Sequence, residues 1–150
     1  VEQDPGREVP ADASGAGCRV VNPTVAQFIE CINRRDVDGL CRLMTPDHLF
    51  VDSLGIEVRG REEMREGWQA YFAMVPDYHI IVTDYLESGP VVALFGQASG
   101  TYSPGGRTLT QNHWETPAAW KAVVHDGSIA EWRVYADNEP IRRLMHAAPA

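Results

Sequence analysis

Asp52, His113 and Glu115 are the side chains whose type and setting suit acid–base chemistry in this sequence. Asp52 follows the apolar pair Phe50-Val51 and precedes Leu54-Gly55, so it ends a strand-like run where a turn begins. A carboxylate there can take a proton from carbon if apolar surroundings raise its pKa and exclude water. Equally, it can be a turn aspartate that caps Gly55 or a neighbouring amide. His113 and Glu115 stand two apart in a strand-like stretch and so share a face, and a histidine can act as base or acid near neutral pH. No metal is expected, since His79, His113 and His125 lack ligand spacing and there is no HExxH or Cys/His cluster. GxSxG, P-loop and GxGxxG motifs are also missing, and Gly105-Gly106 belongs to a hairpin turn, so no cofactor is expected.

These residues need elements to hold them. Asn22-Pro23-Thr24 offers a cap and a proline for a helix whose apolar stripe is Val25, Phe28, Ile29 and Ile32, ending near Arg34. Asp36 can cap a second helix striped by Val37, Leu40, Leu43 and Met44 and stopped by Thr45-Pro46-Asp47, which gives a helix hairpin. Leu49 to Val51 reads as a short strand, and a turn then leads into Ile56 to Arg59. A third helix spans Arg61 to Met74, with Met64, Trp68, Tyr71 and Phe72 at helical spacing and Glu62 and Glu63 at its dipole-favoured start. Strands are expected over Tyr78–Glu87, Val91–Tyr102, Thr108–Val124 and Ser128–Ala136. The turns Ser88-Gly89-Pro90, Ser103-Pro104-Gly105-Gly106 and His125-Asp126-Gly127 make them an antiparallel meander. A last helix carries Ile141, Leu144 and Met145. Helices followed by a sheet give an α+β fold.

At 150 residues the chain suits one domain, assigned to 22–150 after a flexible leader over 1–21 rich in Pro, Gly, Ala, Asp and Ser. A domain of this size buries roughly 70% of its unfolded surface. Thirteen basic against 21 acidic residues give a net charge of −8, and the arginines Arg34-Arg35, Arg59, Arg61 and Arg142-Arg143 are dispersed. Nucleic acid is therefore not an expected partner. No apolar run reaches the roughly 18 residues of a membrane span, and neither a membrane partner nor a signal peptide is expected. Cys18, Cys31 and Cys41 are an odd, irregularly spaced set that favours free thiols and a cytoplasmic location, with a Cys31–Cys41 bridge left as an alternative.

Three segments taken in order resemble the nuclear transport factor 2-like superfamily, whose members include ketosteroid isomerases, the small SnoaL-like polyketide cyclases, limonene epoxide hydrolases and scytalone dehydratases. They are Asn33-Arg34-Arg35-Asp36-Val37-Asp38-Gly39-Leu40, then Phe50-Val51-Asp52-Ser53-Leu54-Gly55 with Arg59-Gly60-Arg61, then Asp126-Gly127-Ser128-Ile129-Ala130-Glu131-Trp132-Arg133-Val134-Tyr135-Ala136-Asp137. The resemblance spans about Thr24 to Met145. It implies a curved antiparallel sheet wrapped around the helix hairpin and third helix as a cone, with the ligand site inside and a homodimer built on the open sheet face. It specifies fold far better than reaction.

The resemblance also places Asp52 on the general base of the isomerases. Those enzymes give the developing enolate oxygen a tyrosine and a protonated aspartate. Here the corresponding positions are Phe28, which cannot donate, and a place near Ala119, so a steroid isomerase of the usual kind is not expected. The arginine and two aspartates of the epoxide hydrolases fall near Ala98, Gly100 and Val134, none of them ionisable. If Ala119 faces inward, alternation brings in Pro117, Glu115, His113 and Gln111, unless a bulge near Pro117 turns that face to solvent. Gly96, Ala98 and Gly100 would leave room on the neighbouring strand. Trp68, Phe72, Trp120, Trp132 and Tyr135 could wall the pocket for a flat, apolar or aromatic ligand, although each is also an ordinary core residue. Tyr102 and Tyr71 are candidate donors. Asp137, near the end of the sheet, is a reserve acid.

Two functions follow as expectations. One is a cofactor-independent isomerase, cyclase or dehydratase acting on a small, largely apolar carbonyl compound. Asp52 would be its base, His113 with Glu115 its acid or electrophile, and Phe28, Trp68, Phe72, Ala98, Gly100, Tyr102, Ala119, Trp120, Trp132 and Val134 its substrate surface. The other is a non-catalytic small-molecule-binding or dimerisation module of the same fold.

Overall fold

The computed structural model describes residues 20–147, so most of the expected leader, including Cys18, lies outside the described residues. Helix α1 (Pro23–Arg34) starts where the Asn22 side chain accepts from the Val25 amide at 3.2 Å, and it buries Val25, Phe28 and Ile32. It stops at Arg35, which takes the left-handed conformation at φ 56° and lets the chain reverse. Asp36 caps α2 (Val37–Leu43) by accepting from the Gly39 amide at 2.9 Å. Cys31 and Cys41 are both free thiols, so the bridge left open by the sequence is not formed.

Strand β1 (Met44–Val51) is longer than expected, taking in Met44, Thr45, Pro46, Asp47 and His48. Pro46 lies where the ladder to the neighbouring strand is broken between Met44 and Leu49, so its missing N–H interrupts no regular pairing. Short β2 (Glu57–Arg59) leads to α3 (Arg61–Met74), which buries Met64, Trp68 and Phe72. Three long strands follow: β3 (His79–Ser88), β4 (Val91–Thr101) and β5 (His113–His125), then β6 (Ser128–Ala136) and α4 (Glu139–Ala147). Residues 108–112, expected to be strand, are irregular up to Leu109 and then make a single 3-10 turn over Thr110–Asn112. The Asn112 side chain donates to the Tyr102 carbonyl at 3.0 Å and its own carbonyl accepts from the Tyr102 amide at 3.1 Å, which closes that connection without a ladder.

The sheet has six strands in the order β2-β1-β6-β5-β4-β3. The expected meander is present from β3 to β6, every pair in it antiparallel. The sheet is nonetheless mixed, because β1 pairs with β6 in parallel. A bulge between Val82 and Asp84 bends β3 against β4, and the sheet is curved but open. Helix α1 packs on β3, β5 and β6, while α3 packs on β1 and β2. No helix among the described residues is long and apolar enough to cross a membrane.

Candidate functional site

Between α3 and the sheet lies a cavity of about 280 Å³. Helix α3 contributes Met64, Gly67, Trp68 and Tyr71, and the sheet contributes Phe50, Ala98, Trp114, Thr116, Ala118, Trp132 and Val134. Most of this wall is apolar because β5 alternates strictly: Trp114, Thr116, Ala118, Trp120 and Ala122 are buried, and the intervening residues are not. Polar side chains gather at the more exposed end, where Asp52, Ser53, Glu63 and Asn138 border the opening.

Asp52 stands at the end of β1, where the strand turns toward β2. Its Oδ1 accepts from the Leu54 and Ile56 amides, both at 2.9 Å, while its own amide donates to the Ile56 carbonyl at 3.0 Å. Gly55, at φ 83°, makes that turn possible. Both readings of Asp52 thus meet in one residue, since it caps a turn with one oxygen and borders the cavity. Beside it, the Asn138 side chain donates to the Ser53 hydroxyl, tying the loop after β6 to the loop after β1.

Aromatic rings fix the shape of the cavity. Trp68 stacks on Phe72 with centroids 5.2 Å apart and meets Phe50 edge-on at 6.1 Å. Trp132 rests on Phe28 at 4.8 Å. Tyr71 and Tyr78 meet edge-on at 5.0 Å, and Tyr78 lies 6.2 Å from Trp114. Burial pushes the hydroxyl pKa of both tyrosines far above the ordinary range; at Tyr78 a hydrogen bond with the Trp120 indole opposes part of the rise.

Of the residues expected at the site, Asp52, Trp68, Ala98, Trp132 and Val134 border this cavity. Others do not. His113 and Glu115 lie on the outer face of β5 with side chains 49% and 59% exposed, and Ala119 shares that face. The phase of the strand is the reverse of the one expected, because the two tryptophans Trp114 and Trp120 take the inside. His113 instead meets the Thr101 hydroxyl at 3.2 Å, which donates to Asp77 at 2.7 Å. Phe28, Phe72 and Trp120 are buried behind the lining rather than in it. Gly96 and Gly100 leave no room, because a Cβ at Gly96 would collide with the Ile81 carbonyl and one at Gly100 with Val75. Tyr102 is held beside Asn112 at the end of β4, and Tyr135 is half-exposed on the outer face under the Arg133 guanidinium.

The sequence model of the SnoaL-like domain matches residues 25–132, most of the described chain. The chain belongs to the SnoaL-like domain family. Solved structures agree in fold. A putative SnoaL-like polyketide cyclase from Jannaschia sp. CCS1 has a TM-score of 0.73 at 18% identity, covering 93% of this chain and 100% of its own. Wild-type IdmH, a putative polyketide cyclase from Streptomyces antibioticus, has a TM-score of 0.67 at 27% identity, with 83% and 96% covered. A hypothetical protein of ketosteroid isomerase-like fold from Catenulispora acidiphila, solved with trimethylamine, has a TM-score of 0.64 at 19% identity, with 75% and 84% covered. No curated protein matches the chain.

Several lining residues of this SnoaL-like domain went unassigned from sequence, some with a signal present and some without. The even-numbered residues of β5, Trp114 to Ala122, are the more apolar of its two faces, a signal that favours them for the inside while packing sets the phase. Tyr71, a candidate donor from sequence, sits on the apolar stripe of α3 and lines the cavity. Tyr78 precedes β3 as a lone aromatic after Pro76-Asp77, with no pattern to mark it. Among the described residues no group of three or more His, Cys, Asp or Glu is placed to hold a metal.

Proposed function

We propose that this SnoaL-like domain is a cofactor-independent enzyme that takes a proton from the carbon beside a carbonyl in a small, flat, largely apolar compound. Isomerisation, cyclisation and dehydration all begin with that step. Asp52 is the base. The observation that carries the reading is its carboxylate, held at the edge of an apolar cavity by two amides on Oδ1 alone. Oδ2 would take the proton, and the C–H electron pair would pass into the carbonyl to give an enolate, which is reprotonated or attacks an electrophilic carbon. The aromatic lining suits a planar ligand, and the 27% identity to a putative polyketide cyclase supports carbonyl chemistry. Half-exposed Phe95 and Tyr135 on the outer sheet face support a homodimer through that face.

A second reading is a binding module without chemistry, favoured by the turn-capping role of Asp52 and by the absence of His113 and Glu115 from the cavity. One experiment separates the two. 2-Tetralone, a flat ketone with acidic C–H bonds beside the carbonyl, is incubated with protein in D₂O and its deuterium uptake followed by NMR. Uptake faster than in buffer, and lost in Asp52→Asn, is the expected result. Equal uptake with both proteins, while both bind the ketone, leaves the binding module.

A further inference from the structure

The polar groups around the cavity divide by kind. Its exposed edge carries the carboxylates Asp52 and Glu63, whereas residues that can donate line the remainder: buried Trp68, Tyr78 and Trp114 and half-buried Tyr71. The Trp68 and Trp114 N–H groups are buried with no acceptor among the described residues. Thr116, another polar side chain of the lining, directs its hydroxyl to the Asp137 carbonyl at 3.2 Å. Tyr78 is 7% exposed, and its ring lies 6.2 Å from that of Trp114. The rings of Tyr71 and Tyr78 meet edge-on with centroids 5.0 Å apart, which brings the two phenols to one part of the lining.

A hydrocarbon filling this part of the cavity would leave the donors without acceptors, and sites built to donate reject ligands that cannot accept. We infer that Tyr71 and Tyr78 together receive a carbonyl or phenolic oxygen of a flat aromatic ligand in the buried part of the cavity, fixing which edge of it faces Asp52. The inference rests on the proposed reading that the cavity takes a carbonyl compound, but not on Asp52 acting as a base. It moves the oxygen-binding role from the helix α1 position, where Phe28 stands, to α3 and the residue before β3. The ligand class it selects carries at least one acceptor oxygen on the buried edge of a planar ring system.

The test compares 2-tetralone with tetralin, which has the same two rings and no oxygen. Binding is followed by tryptophan fluorescence, and the carbonyl stretch of the bound ketone by infrared difference spectroscopy. The native protein is expected to bind the ketone about tenfold more tightly than the hydrocarbon. Tyr71→Phe and Tyr78→Phe should each reduce that preference several-fold, leave tetralin affinity unchanged and move the carbonyl stretch to higher frequency. Equal affinity for the two compounds, no binding of either, or a preference and stretch unchanged in both variants would overturn the inference. A preference that persists in Asp52→Asn without deuterium uptake by the native protein sinks the enzyme reading alone. Uptake without any preference sinks only this one.

Discussion

Asp52 and Ile56 are bonded to each other twice: the Asp52 amide donates to the Ile56 carbonyl at 3.0 Å, and the Ile56 amide donates back to Asp52 Oδ1 at 2.9 Å. The pair closes the β1–β2 turn and sets the angle at which the carboxylate meets the cavity. Asp52→Asn keeps an acceptor oxygen and should lower stability by less than about 1 kcal/mol, whereas Asp52→Ala removes both side-chain acceptor bonds and should cost about 1–2 kcal/mol. Urea unfolding of the two variants checks this. Deuterium uptake by 2-tetralone should be lost in both, which separates the turn from the chemistry.

Gly67 lies on the cavity side of α3, where an added Cβ would meet Met64 Sδ at 3.5 Å, an ordinary contact. Gly67→Ala should therefore stabilise the protein by about 0.5–1 kcal/mol through helix propensity. Gly67→Leu should fold as well but push a side chain across the opening and weaken 2-tetralone binding at least severalfold. If Gly67→Leu binds as the native protein does, the opening is not where the cavity was placed.

His48 is fully buried, its Nδ1 bonded to the Ile129 carbonyl at 2.7 Å and its Nε2 without a partner among the described residues. Burial holds its pKa below the ordinary 6.5, against smaller upward pushes from the Ile129 carbonyl, Glu131 and Asp47. A histidine that resists protonation when folded contributes its full stability above about pH 6.5 and loses it as pH falls toward the folded value. Urea midpoints measured between pH 8 and pH 5 should fall on acidification. His48→Gln should cost about 1–3 kcal/mol at pH 8 and flatten part of that dependence. A pH profile parallel to that of the native protein would show that His48 is not the group responsible.

His113 and Glu115 lie outside the cavity, so His113→Ala and Glu115→Ala should leave 2-tetralone affinity and deuterium uptake unchanged. His113 instead belongs to the outer chain through Thr101 to Asp77. Burial raises the Asp77 pKa, but the Thr101 hydroxyl and amide, with His113, outweigh it and hold the pKa below the ordinary value. Asp77 stability is present above the unfolded pKa and is lost as pH falls through the folded one. His113→Ala should therefore shift the acid limb of unfolding slightly upward in pH and leave the midpoint at pH 8 almost unmoved. A change in ligand affinity would instead place His113 within reach of the site.

The local elements were legible because their signals are local. Asn22 before Pro23, the stripe Val25-Phe28-Ile32 and the turn glycines Gly89 and Gly127 fix the helix hairpin and the meander within a few residues of chain. The Asp52 turn was legible for the same reason, since the aspartate and the amides it caps lie within four residues. Contacts between distant segments were not. Gly96 and Gly100 read as open space from sequence, yet each is small because the Ile81 carbonyl or Val75 packs against it. The parallel pairing of β1 with β6 joins segments roughly eighty residues apart, and no turn signal encodes it.

From sequence alone, then, the chain determined its elements, their order, and the aspartate that ends β1. Tertiary structure decided what surrounds that aspartate. Alternation along β5 is a property of the backbone, but its phase depends on which side chains α1, α3 and the neighbouring strands can cover, and a shift of one residue exchanges the two faces. Packing chose Trp114, Thr116, Ala118 and Trp120 for the inside and left His113 and Glu115 in solvent. The same packing brought Tyr71 of α3 and Tyr78 before β3 to one part of the cavity lining.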